Sequence, residues 1–376
     1  MRIGIDCRVL EEKEPAGTSL YTLELVRSLL FIDQKNQYVL FFQKPPYYAV
    51  SFNQPNAAIV TVGKLTGARI PFVSSHIAFS FSLAKHGLDV FHAPANTLPI
   101  GFGGKTVLTI HDLAIYRNPE WFPRQSFATR VLVPRSLAKA THIIAVSEST
   151  KNDLQQIFRV PQERVSVIYE GVREEPVNDA AKQSIFQKFR IDSERGFFLF
   201  LGTIEPRKNL VTLLSAYRAL VKKFPDAPRM IFAGGRGWNN EDVFSAIQKW
   251  GLNDAVRYVG YVSHEEKLVL MKNAQCLVYP SLYEGFGLPI LESMSLGVPV
   301  LTSRTSSIPE VAGDAALLVD PNDDEEIAKG LEKFWKDESL RADIISKGKS
   351  RVKLFDWKKT AEQTLAVYEH VARKRS

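Results

Sequence analysis

Short apolar runs alternate with longer amphipathic stretches along almost the whole chain, and this alternation constrains the fold more than any other feature. It is typical of parallel sheets whose strands are joined by crossover helices, so we predict an α/β protein. The predicted strands are Arg2–Asp6, Tyr38–Phe42, Ala58–Val62, Val90–Ala93, Thr106–Ile110, Ile143–Val146 and Val165–Ile168 in a first series, and Phe197–Leu201, Met230–Ala233, Val256–Val259, Cys276–Tyr279, Val298–Thr302 and Ala316–Val319 in a second.

A polar stretch, Arg173–Ala181, separates the two series. The chain has 376 residues, and because one domain usually takes about 100–200 residues, we predict two Rossmann-like domains at 1–175 and 176–356. A final amphipathic helix within 357–376 is expected to pack back on one of them, with the N-terminal domain as a candidate. Ligands of parallel sheets collect beyond the carboxyl ends of the strands, so we predict a binding cleft between the domains.

The composition argues against several classes of protein. Both cysteines, Cys7 and Cys276, lie inside apolar runs, which predicts buried free thiols rather than a disulfide framework or a metal site. The chain starts directly with a strand and has no run of about 18 apolar residues, so we expect a cytoplasmic protein without a signal peptide. The net charge of +7 is spread over both halves, which favours small anionic partners over nucleic acid.

Two basic residues follow the first strand of the second series. After Phe197–Leu201, Gly202 allows a sharp turn, and Arg207 and Lys208 stand just before a helical pattern that begins at Leu210. The free N–H groups and the dipole of a helix N-terminus favour phosphate, and an arginine fork beside a lysine point charge suits a diphosphate. The alternative is a solvated turn that carries two surface cations.

Two carboxylates flank a loop that contains glycines. Glu284 follows the strand Cys276–Tyr279, and Glu292 lies in a helix that starts near Leu288. Both side chains are therefore predicted to reach one site, where carboxylates accept hydrogen bonds from sugar or ribose hydroxyl groups. The alternative for Glu284 is a solvated carboxylate that complements the helix dipole.

These motifs, in this order, resemble glycosyltransferase family 4, whose members have the GT-B fold, and the resemblance extends over nearly the whole chain. It is carried by the segments Arg2–Asp6, Thr109–Leu113, Ala145–Glu148, Val167–Val172, Glu205–Asn209, Glu284–Glu292 and Ile308–Ala316. Within the family, the chain looks most like the mannosyltransferase-B-like branch of polysaccharide-building enzymes.

The resemblance implies roles for residues of the C-terminal domain. Arg207 and Lys208 resemble the pair that grips the donor diphosphate and steadies the leaving group. Glu284 resembles the glutamate beside the transferred sugar and the reacting centre, and Glu292 resembles the carboxylate that holds the ribose. The implied backbone contacts are Gly285, Phe286 and Gly287 with the sugar, Gly287 and Leu288 with the diphosphate, and Gly260, Tyr261 and Val262 with the base.

The resemblance also implies two contacts from the N-terminal domain. Gly17 resembles the glycine that approaches the phosphate, although the family commonly has two adjacent glycines there and this chain has Ala16–Gly17. His111 resembles the histidine that caps the sugar, while a histidine near a strand is otherwise often structural. Ser147 stands at a similar strand end, where it is equally well interpreted as the N-cap of the next helix.

The family resemblance implies transfer of a hexose with retention of anomeric configuration, without a cofactor and without an obligatory metal. No Asp-x-Asp cluster stands at the strand ends to hold a diphosphate-bound Mg²⁺, so cationic side chains and helix ends are expected to neutralise the departing nucleoside diphosphate. GDP-mannose is the favoured donor and a UDP-sugar such as UDP-glucose is the alternative. The expected acceptor is a glycan or a lipid-linked glycan.

Three other functions compete with glycosyl transfer. A nucleotide-sugar epimerase would share the cleft, but the motifs Glu205–Lys208 and Glu284–Glu292 argue against it. A nicotinamide-dependent oxidoreductase needs Gly-x-Gly-x-x-Gly after an early strand, and the sequence after Asp6 lacks it. A non-catalytic binding module is disfavoured because both glutamates and both cations are present.

Residues 98–140 carry more cations than anions, with aromatic side chains between them. The cations are Lys105, Arg117, Arg124, Arg130, Arg135 and Lys139, the anions are Asp112 and Glu120, and the aromatics are Tyr116, Trp121, Phe122 and Phe127. Such a surface is typical of proteins that contact an anionic membrane leaflet, which would bring the protein to a lipid-linked acceptor. The alternative is an ordinary solvated helix with core aromatics.

Overall fold

The structure, a computed structural model, describes residues 1–10, 17–47, 52–62, 79–99, 101–123, 127–192 and 194–374. The chain divides into two compact units. The first unit contains Met1–Leu113, Arg124–Gly171 and Phe355–Ser376, and the second contains Ala114–Pro123 and Val172–Leu354. Each unit is built on its own parallel sheet.

A seven-stranded parallel sheet forms the centre of the first unit. Its strands are β1 (Arg2–Asp6), β2 (Gln37–Phe42), β3 (Ala57–Thr61), β4 (Val90–Ala93), β5 (Thr106–Ile110), β6 (His142–Ala145) and β7 (Val165–Val167). They lie in the order β3-β2-β1-β4-β5-β6-β7. Strands β4, β5 and β6 are buried at every residue, as expected for parallel strands that are covered on both faces.

Helices cover the sheet of the first unit. Among the described residues they include Thr18–Ile32, Phe127–Lys139, Glu148–Phe158 and Trp357–Arg373, with a 3₁₀ turn at Gln162–Arg164. The C-terminal helix packs against Thr18–Ile32 and against β4 and β5. Ala361, Tyr368 and Val371 on this helix are fully buried, so the amphipathic pattern of the sequence marks its packed face.

A six-stranded parallel sheet forms the centre of the second unit. Its strands are β8 (Phe197–Leu201), β9 (Arg229–Ala233), β10 (Val256–Gly260), β11 (Cys276–Tyr279), β12 (Val300–Ser303) and β13 (Leu317–Val319). They lie in the order β10-β9-β8-β11-β12-β13. The order reverses between β8 and β11, and the loops that follow these two strands are where open α/β sheets bind ligands.

The helices of the second unit include those that follow the site loops. They are Ala114–Arg117, Lys182–Phe189, Leu210–Lys223, Glu241–Lys249, His264–Asn273, Leu288–Ser295, Ile308–Ala312, Asp324–Lys336 and Glu338–Val352, with 3₁₀ turns at Pro119–Trp121, Asp179–Ala181 and Pro206–Lys208.

Residues 114–123 precede the predicted domain boundary at 175 in sequence but pack within the second unit. The indole Nε1 of Trp238 donates to the carbonyl of Trp121 over 2.6 Å, and the rings of Trp238 and Phe122 lie 5.8 Å apart. The two tryptophans are 117 residues apart in the chain. A local sequence pattern carries no information about such a contact.

Candidate functional site

The turn that carries Arg207 and Lys208, called the cationic turn below, lies near the carboxyl end of β8. Pro206–Lys208 form a 3₁₀ turn, and Asn209 takes a left-handed conformation before the helix Leu210–Lys223 begins, which asparagine tolerates better than most residues. Its Nδ2 donates to the carbonyls of Pro280 over 3.2 Å and Pro321 over 2.6 Å. These bonds tie the turn to the loops that follow β11 and β13.

A close backbone crossing also fixes this turn. The loops after β8 and β9 meet at Gly202 and Gly234, where a Cβ on Gly234 would stand 2.1 Å from the carbonyl oxygen of Gly202. Gly234 has a φ of 140°, a backbone conformation that residues other than glycine rarely adopt. The cationic turn therefore depends on glycine in the neighbouring loop.

Serines after β12 shape the loop that carries Glu284. The backbone N–H of Glu284 donates to Oγ of Ser306 over 2.8 Å. The hydroxyl of Ser307 donates to the carbonyls of Glu284 over 2.9 Å and Phe286 over 3.1 Å. These bonds turn the carboxylate of Glu284 towards the cationic turn, where it is only 6% exposed.

Glu284 bridges the two cations. Its Oε1 lies 2.6 Å from Nζ of Lys208, and its Oε2 lies 2.6 Å from Nη1 of Arg207. A second carboxylate, Glu205, accepts from Nη2 of Arg207 over 2.7 Å and from Nε over 3.1 Å. Lys208 is 5% exposed, so the turn is a buried network of two cations and two carboxylates rather than a solvated loop.

The electrostatics of the network follow from its burial. Burial would raise the pKa of Glu284, but the adjacent Arg207 and Lys208 outweigh it and lower this pKa to about 2. Burial and the neighbouring Arg207 lower the pKa of Lys208, and Glu284 opposes that change. Glu284 is therefore ionised at neutral pH and is the counterion of both cations.

Tyr279, the last residue of β11, contacts the same lysine. Nζ of Lys208 donates to the Tyr279 hydroxyl over 2.6 Å and stands 4.7 Å from the ring centroid. Burial, together with the charge of Glu284, raises the pKa of Tyr279 well above its usual value, so the phenol stays neutral.

Glu292 lies one turn inside the helix Leu288–Ser295. Its Oε1 accepts from Nζ of Lys267 over 2.8 Å, and the two side chains are 16% and 18% exposed. The helix starts after Gly287, whose φ is 105°, a conformation that favours glycine. The N–H groups at this helix start, Leu288 included, favour an anion.

The predicted base segment stands at the carboxyl end of β10. Gly260 has a φ of 78°, and its carbonyl accepts from the N–H of Gly234 over 2.7 Å. Tyr261 is 66% exposed and Val262 is 8% exposed. The segment therefore adjoins the loop after β9, which crosses the loop after β8 at Gly202.

The first unit carries the remaining predicted residues. Gly17 precedes the helix Thr18–Ile32 with a φ of 52°, and among the described residues no atom lies within 4 Å of the position that a Cβ would take. Ala16 lies outside the described residues. His111 follows β5, and its ring nitrogens contact Glu170 over 3.2 Å and the carbonyl of Pro94 over 2.8 Å.

Other sequence predictions have direct structural outcomes. The Ser147 Oγ accepts from the N–H of Thr150 over 3.0 Å at the start of the helix Glu148–Phe158, which confirms the N-cap interpretation. Cys7 and Cys276 are buried free thiols, and burial raises the pKa of both.

The cationic surface of residues 98–140 is described only in part. Lys105 donates to the carbonyl of Ala372 over 2.7 Å, and Trp121 and Phe122 pack with Trp238. Arg124 and the side chain of Phe127 lie outside the described residues. No described helix is both long and apolar enough to cross a bilayer, and the described residues contain no group of three or more His, Cys, Asp or Glu placed to hold a metal ion.

Comparisons with known proteins place the chain among glycosyltransferases. Residues 181–351 match the family model described as Glycosyl transferases group 1, and residues 17–175 match that of Glycosyltransferase Family 4. Over 283 residues the chain is 34% identical to O-antigen chain mannosyltransferase B of Escherichia coli, and the match covers 74% of each chain.

Solved structures share the fold over nearly the whole chain. Sucrose-phosphate synthase of Thermosynechococcus elongatus is 21% identical with a TM-score of 0.76, and the match covers 98% of both chains. Anabaena Alr3699/HepE in complex with UDP and glucose is 17% identical with a TM-score of 0.75, over 98% of this chain and 99% of that one. The protein is therefore a glycosyltransferase with the GT-B fold. It belongs to glycosyltransferase family 4, which confirms the family predicted from the motifs.

Four residues of the site received no role from the sequence. Glu205 and Tyr279 hold the cations, Lys267 holds Glu292, and Glu170 holds His111. Glu205 and Glu170 lie in the quoted motifs that follow β8 and β7, and Tyr279 is the last residue of β11. Such positions signal a site without specifying a partner. Lys267 lies in the middle of a helix and carries no such signal.

Proposed function

We propose that this enzyme is a retaining mannosyltransferase that moves mannose from GDP-mannose to a growing polysaccharide or a lipid-linked glycan. The observation that carries the proposal is the buried network of Arg207 and Lys208 with Glu284 and Glu205 at the reversal point of the second sheet. Buried cations need a partner at all times. An incoming diphosphate can replace a carboxylate as that partner.

The reaction follows from the charge of the network. The bond between the anomeric carbon and the β-phosphate oxygen breaks, and its electron pair leaves with GDP. Arg207 and Lys208 stabilise the negative charge that develops there. The acceptor oxygen bonds to the same face of the anomeric carbon, and the departing diphosphate on that face receives the acceptor's proton.

Each predicted contact takes a place in this scheme. Glu284 lies beside the cations and is assigned to the transferred sugar, and Glu292 is assigned to the ribose hydroxyls, which a carboxylate accepts well. The backbone of Gly285–Leu288 serves the sugar and diphosphate, and that of Gly260–Val262 serves the base. The contacts of Gly17 with the diphosphate and of His111 with the sugar stay predictions drawn from the family resemblance.

The proposed reaction uses side-chain cations where other transferases use a divalent metal. Two adjacent cations provide the positive charge that a diphosphate-bound Mg²⁺ would supply. We expect transfer to persist in excess EDTA and to gain nothing from Mg²⁺ or Mn²⁺. Complete loss of activity with EDTA, restored by one of these ions, would contradict this part of the proposal.

The choice of mannose is supported by the relative that is 34% identical, which is named as a mannosyltransferase. The base of the donor is expected to contact main-chain groups of Gly260–Val262, and main-chain groups distinguish guanine from uracil less sharply than side chains do. A UDP-sugar is therefore the alternative donor.

A donor screen tests the proposal. Thermal shift and donor hydrolysis are measured with GDP-mannose, UDP-glucose, UDP-glucuronate, UDP-GlcNAc and dTDP-rhamnose. We expect GDP-mannose to stabilise and to be hydrolysed by the wild type, and Lys208→Ala to abolish both effects. The control is Lys222→Ala, which removes an exposed lysine of the following helix. A response to UDP-sugars alone would replace mannose transfer by the alternative, and no response to any nucleotide sugar would overturn the proposal.

We also propose that the helix Phe127–Lys139 contacts an anionic membrane and so brings the enzyme to a lipid-linked acceptor. Arg130, Arg135 and Lys139 on this helix are exposed, and cations near an anionic surface each contribute roughly 1 kcal/mol. Pelleting with liposomes should depend on anionic lipid and should weaken in the variant with Arg130 and Arg135 both changed to glutamine. Equal pelleting with neutral and anionic vesicles would contradict membrane contact.

A further inference from the structure

Both ring nitrogens of His111 face hydrogen-bond acceptors. Nε2 lies 2.8 Å from the carbonyl oxygen of Pro94, and a carbonyl can only accept, so Nε2 carries a proton. Nδ1 lies 3.2 Å from Oε1 of Glu170, which as a carboxylate also only accepts. The geometry therefore fits an imidazolium with protons on both nitrogens, since a neutral ring would point a lone pair at the carboxylate.

Glu170 is held in this position by the C-terminal helix. The hydroxyl of Thr360 donates to the carbonyl of Tyr169 over 2.8 Å. At Gly171, a Cβ would stand 2.4 Å from the backbone nitrogen of Trp357, so the helix start packs directly on the backbone beside Glu170. Glu170 is 4% exposed, and water therefore screens its charge only weakly.

The other titratable groups around His111 allow the charge. Asp112, its neighbour in sequence, adds a second negative charge. Burial lowers the pKa of His92 to about 3, so that ring is neutral. The ring of Tyr21 meets His111 edge-on, with centroids 4.8 Å apart at 86°, and burial raises the pKa of this tyrosine, so it is neutral as well. Burial alone would lower the pKa of His111, but the bond and charge of Glu170 outweigh it and raise this pKa.

We propose that Glu170 is a positioning residue that fixes His111 as a doubly protonated imidazolium, so that His111 offers positive charge, and no proton acceptor, to the reaction. An imidazolium bonded at both nitrogens has no lone pair to take a proton from the acceptor hydroxyl. Its charge would instead favour the diphosphate as negative charge develops on it. This use of the charge rests on the proposed function, whereas the ionisation of His111 does not.

The ionisation is tested on the protein without any substrate. The ring signals of isotope-labelled histidine are followed by NMR from pH 5 to pH 9, with His111 assigned through His111→Gln. In the wild type we expect His111 to titrate above its ordinary value near 6.5. In Glu170→Gln, which removes the charge and keeps the shape, we expect the midpoint to fall by about 1 pH unit or more. Glu163→Gln, which changes an exposed carboxylate of the same unit, should leave it in place.

Two results would overturn the inference. A wild-type midpoint at or below 6.5 would mean that Glu170 does not hold the ring charged, and this result needs no variant to fold. An equal titration midpoint of His111 in the wild type and in Glu170→Gln would also mean that Glu170 does not hold the ring charged.

Transfer activity tests the use of the charge. We expect the kcat of Glu170→Gln to fall more than about tenfold as the pH rises from 6 to 8, because the charged fraction of a histidine with an ordinary pKa falls by at least that factor. The wild type should hold its activity to higher pH. A flat profile in a variant whose ring titration has shifted would overturn the role in transfer. An enzyme inactive with every nucleotide sugar would overturn the proposed function, and the ring titration alone would then decide the ionisation.

Discussion

Replacing Glu284 with glutamine should weaken the fold and strengthen the binding of nucleoside diphosphate at the same time. The pKa of Glu284 falls from 4.5 to about 2 in the folded protein, and at about 1.4 kcal/mol per pH unit the network stabilises its ionised form by roughly 3 kcal/mol. The variant loses this stabilisation and leaves Lys208 without a carboxylate at 2.6 Å. In the proposed function, a diphosphate displaces Glu284 from the same two cations in the wild type.

The change is measured by calorimetry and by titration with GDP. A loss of roughly 3 kcal/mol lowers the Tm of a domain of this size by about 6–12 °C, and we expect at least about tenfold tighter GDP binding, or about 1.4 kcal/mol. Transfer should fall, because the same carboxylate is assigned to the sugar. The control is Glu338→Gln, an exposed carboxylate of the same unit. Weaker GDP binding in Glu284→Gln would refute the idea that carboxylate and diphosphate compete for the cations.

The sign of the pH dependence is a further check on the same variant. Since the folded pKa of Glu284 is depressed, its contribution to stability is complete above pH 4.5 and is lost as the pH falls from 4.5 towards about 2. The Tm difference between wild type and Glu284→Gln should therefore shrink over that window. A constant difference would mean that the charge of Glu284 is not what stabilises the fold.

Three other substitutions separate the parts of the site. Lys208→Met should abolish binding of both GDP and inorganic pyrophosphate by titration calorimetry, and retained pyrophosphate binding would remove this lysine from the diphosphate site. Glu292→Gln should weaken GDP binding about tenfold or more, the contribution of a charged hydrogen bond, while leaving pyrophosphate binding unchanged; equal loss for both ligands would contradict a ribose contact. Gly234→Ala should destabilise the second unit by several kcal/mol, because its Cβ would stand 2.1 Å from the carbonyl oxygen of Gly202. Gly235→Ala, where no described atom lies within 4 Å, should be tolerated, and equal effects would refute the backbone-crossing argument.

The sheets were predictable because buried parallel strands appear as continuous apolar runs. Phe197–Leu201 and Cys276–Tyr279 have their predicted bounds, since every residue in them is buried and the turn-forming residues Gly202 and Pro280 follow directly. The helix Trp357–Arg373 also has its predicted ends, because its apolar residues repeat at helical spacing. Its packing on the first unit arises from contacts such as Tyr368 with His92, 276 residues apart. The helical periodicity of the sequence did not determine which of the two domains the helix packs on.

The sequence predicted which loops carry the candidate site, but not how the side chains of those loops bond to one another. Strand ends and glycines located Arg207, Lys208, Glu284 and Glu292, because the carboxyl ends of parallel strands converge. The bonding of Glu284 to both cations depends on how two loops fold back, which Ser306 and its neighbour determine. Such side-chain bonds between distant loops have no periodic signature.

The most direct test of the account follows the anomeric configuration of the first product. Wild-type enzyme is incubated with GDP-α-mannose, and the released or transferred mannose is observed by proton NMR before mutarotation, with Lys208→Met as the inactive control. We expect α-mannose to appear first, and only with active enzyme. Initial release of β-mannose would contradict a retaining transfer.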